Sequence, residues 1–132
     1  MLALPTVLLQ HHTLTGSHYD WLIGDPGDPA GRLWTARLAV PPTHWPALRT
    51  WPLTPIGAHR RCYLTYQGPL SADRGRVRRI DAGQVVPHLW TPRRIVLQVT
   101  LRRFRGRIEL RQISAQAWRA HVLSVSCANV RV

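Results

Sequence analysis

The chain predicts an all-β fold, a compact small β-barrel with one or two short helical turns. Three observations carry this expectation. Apolar residues alternate with polar ones over short runs and do not recur at helical spacing. Turn signals cut the runs at short intervals, the densest being Gly24-Asp25-Pro26-Gly27-Asp28-Pro29. The 132 residues, 45% of them hydrophobic, suffice for one modest core, so residues 1–132 are expected to form a single domain.

The elements follow in order. Thr6 to His12 is the first expected strand and Ser17 to Ile23 the second. Arg32 to Val40 is the third, stopped by Pro41-Pro42. Thr43 to Trp51 is expected to hold the helical turns. Cys62 to Tyr66 alternates and reads as a strand, as do Arg76 to Ile80 and Gln84 to Trp90, the last disturbed by Pro87. Arg94 to Arg103 and Arg107 to Ile113 form the clearest hairpin, joined through Phe104-Arg105-Gly106, and His121 to Val125 closes the set. Short strands at this spacing suggest a sandwich or a small barrel.

The formal net charge is +12, from 18 basic and 6 acidic residues. Such an imbalance favours polyanionic partners, nucleic acid first. Every basic residue is Arg, a bias that GC-rich coding would also produce. Cys62 and Cys127 are too few for a disulfide framework and point to a reducing compartment. Leu2 to Leu9 is short, broken by Pro5 and lacks a basic flank, so it reads as strand and not as signal peptide or membrane span. A cytoplasmic protein is expected. No P-loop, Rossmann fingerprint, zinc ribbon or nucleophile elbow is present.

The candidate chemistry lies in His12 and His18-Tyr19-Asp20. His18 and Asp20 are two residues apart, which puts both side chains on one face of a strand. If the intervening Thr13-Leu14-Thr15-Gly16-Ser17 is a hairpin loop, His12 returns beside His18. Two imidazoles and a carboxylate would then converge and leave coordination positions open, as a catalytic divalent-metal site does. The bland alternative is histidines beside an aspartate on a solvated face. The same three residues would also suit a non-haem iron oxygenase. Downstream, His59 could donate a proton or stabilise charge at a metal-bound phosphate, with Tyr63 orienting it, but on these residues alone a surface His before a strand whose Tyr packs into the barrel is the stronger reading. Arg60, Arg61, Arg74 and Arg76 are candidate phosphate ligands, because the guanidinium fork matches phosphate geometry. Trp21, Trp45, Trp51 and Trp90 are candidates for base stacking, although most tryptophans of so small a domain are expected in the core.

These pieces together resemble the phosphoesterase domain at the N-terminus of bacterial DNA ligase D, and its stand-alone relatives. Gln10-His11-His12 followed by His18-Tyr19-Asp20 is similar to the family's Gln-x-His and His-Tyr-Asp steps. His59 and Tyr63 match its later His-x3-Tyr, and Tyr66-Gln67-Gly68 stands where it has Tyr/Phe-Glu-Gly. Gly75-Arg76-Val77 and Asp81-Ala82-Gly83 are similar to its Gly-x-Val and Asp-x-Gly run. The likeness extends from about residue 6 to about residue 112.

The resemblance implies a β-barrel binding manganese, or else zinc or cobalt, through His12, His18 and Asp20. It implies removal of a 3′ ribonucleoside and then a 3′ phosphate from DNA ends, leaving a 3′ hydroxyl. It implies His59 at the scissile phosphate, Tyr63 in support, and DNA 3′ ends as partner, with separate repair polymerase or ligase proteins. A monomer at the nucleoid is expected. The departures are Leu22 and Gly24 where the family has Arg and Glu, Gly57 where it has an acid, and Gln67 where it has Glu. They motivate the alternative of a non-catalytic nucleic-acid-binding barrel that serves repair proteins.

Overall fold

The computed structural model describes residues 2–126, so Cys127 lies outside the described residues. The strands are β1 (Leu4–Thr13), β2 (Gly16–Asp25), β3 (Asp28–Leu38), β4 (Thr50–His59), β5 (Gly68–Pro69), β6 (Arg76–Trp90), β7 (Arg94–Leu101), β8 (Arg105–Gln112) and β9 (Trp118–Val125). Pairing runs β1-β2-β3-β4-β9-β8-β7-β6, and β6 returns to β1. The result is a closed eight-stranded antiparallel barrel, with β5 added outside β6. Closure leaves no open sheet edge around the core.

Alternation assigns two apolar faces. Inward residues from all eight barrel strands, among them Leu8, Trp21, Ala36, Leu53, Val85, Leu97, Ile108 and Ala120, form the main core. Trp21, Trp45 and Trp51 stack within it at centroid separations of 4.8 and 4.7 Å. These three are buried, and Trp90 packs against the same core, so the stacking role weighed for them gives way to packing. On the opposite face of β1, β2, β3 and β6 lies a smaller cluster of Val7, Leu9, Leu22, Leu33 and Val77. Tyr63, Leu64 and Leu70 cover it from outside. That outer cluster is the floor on which the candidate site is built.

Several elements differ from the sequence expectation. Cys62 to Tyr66 is no strand: Arg61–Leu64 is a 3-10 turn, closed by Tyr63 N–H to the Arg60 carbonyl at 3.1 Å. Tyr63 and Leu64, consecutive in the chain, both rest on the outer cluster, which the alternation of a strand would not allow. The helical part of Thr43 to Trp51 shrinks to a 3-10 turn at Pro42–His44 and the short α1 (Trp45–Leu48). Thr50–His59 is strand despite Pro52 and Pro55, and it pairs with β3 through an irregular register. Arg76–Ile80 and Gln84–Trp90 are one strand, bent by a bulge where Leu8 faces Asp81 and Leu9 faces Arg79. The β7–β8 hairpin turns at Arg102-Arg103-Phe104, two residues earlier than expected.

The buried Asp81 beside that bulge fixes this turn. Its carboxyl oxygens accept backbone N–H bonds from Arg102 at 2.8 Å, Arg103 at 3.0 Å and Ala82 at 2.8 Å. Asp81→Ala would orphan these donors, so a loss of about 3 kcal/mol is expected from urea unfolding. A loss under about 1 kcal/mol would show that the turn holds without it.

Candidate functional site

β1 and β2 form a tight hairpin. Thr13 faces Gly16, and Gly16, at φ 140, takes a backbone conformation that favours glycine. From this turn the register runs without slip, so His11 faces His18 and His12 faces Ser17. Directly opposed residues of antiparallel strands share a face. His11, His18 and Asp20 therefore converge, whereas His12 belongs to the other face of β1. His12, expected as the third donor, does not join this cluster, and His11 stands in its place. Exposed His12 instead stands across from Arg76, in a separate shallow groove with Gln67, Gly68 and Arg78.

Among the described residues His11, His18 and Asp20 form the one cluster able to hold a metal ion. His11 Nδ1 lies 3.1 Å from His18 Nε2 and 3.8 Å from Asp20 Oδ2, and His18 Nε2 lies 3.5 Å from Asp20 Oδ1. Ligand atoms about 2.0–2.2 Å from a shared ion stand roughly 3–3.5 Å apart, so only a small closing motion is needed. The donor set is two imidazoles and one carboxylate, suited to first-row divalent ions with positions left open.

The surroundings aim these donors. His11 Nε2–H donates to the Arg74 carbonyl at 2.6 Å, which turns the Nδ1 lone pair toward the cluster. That carbonyl is in place because the Ser71–Gly75 loop lies tight on β1. A Cβ on Gly75, at φ 93, would meet the His12 carbonyl at 1.9 Å, so only glycine fits there. Burial pushes the His18 imidazole below its ordinary pKa, while Asp20 opposes the shift and Arg37 and His11 add to it. The neutral, ligating form of His18 is thereby favoured at pH 7. Asp20 is 3% exposed and is approached by Arg37 Nε at 3.4 Å.

A cleft of about 600 Å³ opens beside the cluster. Leu9 and Val77 floor it, and His11 and Asp20 reach it from β1 and β2. His59, Tyr63, Arg60 and Arg74 also line it, together with Arg32 and Arg37. His59 Nδ1–H donates to the Gly57 carbonyl at 2.9 Å, and among the described residues Nε2 has no hydrogen-bond partner. Where the resemblance calls for an acid, then, a backbone carbonyl is the group that receives this bond. Tyr63 packs against His59 with ring centroids 5.6 Å apart, and the Arg60 guanidinium lies 6.0 Å from the Tyr63 ring.

The expected arginines divide. Arg60 and Arg74 line the cleft, with the Arg74 guanidinium tied to Ser71. Arg61 is directed to the Gly31 carbonyl and Arg76 to the His12 groove, so neither lines the cleft. Arg32 and Arg37 were missed. Leu22, at the position where the family has Arg, is fully buried in the outer cluster. The cation beside the carboxylate comes from the next strand, where Arg37 faces Asp20. The one sequence signal for it is the Leu33-Thr35-Arg37 alternation, and a register slip between Gly24 and Asp25 hides where that alternation falls.

His11→Ala is expected to weaken Mn²⁺ binding at least about hundredfold by titration calorimetry, and His12→Ala to leave it within about threefold. Equal losses in the two variants would contradict the register. Compared with known proteins, the chain matches no protein-family model and no curated protein.

Proposed function

We propose that the protein is a metal-dependent phosphoesterase acting at the 3′ ends of DNA. It would remove a terminal 3′ ribonucleoside or 3′ phosphate to leave a 3′ hydroxyl for repair. One observation carries the proposal: a three-donor set and a cation-lined cleft share one wall. A phosphoester needs both, a Lewis acid for the phosphoryl oxygen and cations for the remaining charge.

His11, His18 and Asp20 would hold the divalent ion, manganese first and zinc or cobalt as alternatives. Bound there, the ion supplies polarisation of the phosphoryl oxygen. The chain's own residues do the rest. Arg60 and Arg74 bind non-bridging oxygens and hold the phosphate against the cluster. His59, oriented through Nδ1 by the Gly57 carbonyl, presents Nε2 to the phosphate oxygens. As the imidazolium, with a proton on Nε2 as well, it would stabilise developing charge or pass that proton to the leaving oxygen as water attacks the phosphorus. Tyr63 keeps that imidazole in place by edge contact. The net charge of +12 draws a polyanionic strand to the cleft. Among the described residues no helix is long and apolar enough to cross a membrane. DNA in the nucleoid is the substrate proposed.

The test uses a primer-template with one 3′ ribonucleotide or a 3′ phosphate, incubated with Mn²⁺ or with EDTA. Metal-dependent product is expected, falling by at least about 10²-fold in His11→Ala and His59→Ala. Unchanged rates in His11→Ala would sink the proposal. DNA binding with no product under any metal would favour the non-catalytic barrel.

A further inference from the structure

We propose that Arg37 is the phosphate-positioning residue of the cleft, held on Asp20 until a metal ion takes that carboxylate and then released to the substrate. This rests on the phosphoesterase reading above and adds a coupling between metal and substrate binding. Arg37 meets Asp20 through a single contact, Nε to Oδ1 at 3.4 Å. Among the described residues its guanidinium makes no other hydrogen bond or ion pair, so both terminal nitrogens of the fork are uncommitted. The side chain is 45% exposed while the Asp20 side chain is 4% exposed. The guanidinium therefore sits at the cleft surface above a buried carboxylate. It also lines the cleft beside Arg60 and Arg74, where no second carboxyl is available to it.

A divalent ion bound by His11, His18 and Asp20 would compete with Arg37 for the same carboxylate. The ion brings two positive charges to a place where Arg37 already sits, and like charges repel at this range. Arg37 then loses its partner and faces a cleft holding only cations. A phosphate dianion is the group that neutralises both, and the freed fork can bind two of its oxygens. Metal and phosphate should therefore strengthen each other's binding by the same factor.

Arg37 thus works against the metal and for the phosphate, and this opposition makes the proposal testable without turnover. Binding of Mn²⁺ alone would be measured by calorimetry. Binding of a short oligonucleotide ending in a 3′ methylenephosphonate, which cannot be hydrolysed, would be measured with and without Mn²⁺. Arg37→Gln is expected to bind Mn²⁺ about three- to tenfold more tightly. The same variant is expected to bind the phosphonate about tenfold more weakly, with a smaller coupling factor. Arg37→Lys, keeping the charge but not the fork, should restore part of the phosphonate binding. A merely structural role would weaken both ligands together, and that result, or unchanged phosphonate binding in Arg37→Gln, would overturn the proposal. Wild-type protein that takes up Mn²⁺ yet never binds the phosphonate would instead overturn the phosphoesterase reading, and this inference with it.

Discussion

β1 and β2 pair without slip from Thr6 against Ile23 to Thr13 against Gly16, and the geometry of the candidate site depends on that register. A shift of one residue would exchange the two faces of β1. It would put Gln10 where Leu9 floors the cleft and His12 where His11 meets His18. The register is held from both sides. Inside the barrel, Leu8 and Trp21 are buried in the main core, and Trp21 Nε1–H donates to Thr6 Oγ1 at 2.8 Å. Outside, Val7, Leu9 and Leu22 are buried beneath Tyr63 and Leu64. Moving either set to the other face would expose it to water on one side and leave polar groups in the core on the other.

The outer cluster explains how a small barrel carries a site on its flank. The interior of this eight-stranded barrel is filled by the main core. Here a second hydrophobic layer forms outside the sheet, and the segment from Arg61 to Gly75 folds over it. That segment brings Tyr63 to the wall of the cleft and the Arg74 carbonyl to His11. The site is thus assembled from β1, β2 and β3 on one side and from the end of β4 and its covering segment on the other. Its one buried carboxylate, Asp20, shares the lining with Arg32, Arg37, Arg60 and Arg74, so cationic side chains outnumber the acid there.

Much of this was legible in the sequence. Dense Gly-Pro-Asp turns and short alternating runs indicate the all-β barrel, because alternation follows directly from the pleat. His18 and Asp20 share one face of β2, as expected, since two-residue spacing on one strand needs no knowledge of the partner strand. His11 was missed because its role depends on whether the hairpin loop has an even or odd number of residues. A loop closed by Thr13 and Gly16 pairs His11 with His18, whereas the six-residue interval from His12 suggests a symmetry the backbone does not adopt. Arg37 was hidden for a related reason, the slip in the β2–β3 ladder. Thr50–His59 was unreadable as a strand because its prolines mask it, and the Cys62 to Tyr66 alternation belonged to a turn resting on a hydrophobic floor.

The most direct measurement is a crystal structure of the protein grown with manganese, with anomalous data collected at the manganese edge. The arrangement described requires a single strong peak about 2.0–2.2 Å from His11 Nδ1, His18 Nε2 and an Asp20 oxygen, with the open side toward the arginine-lined cleft. A peak on His12, or none at the cluster while the barrel is otherwise as described, would contradict it.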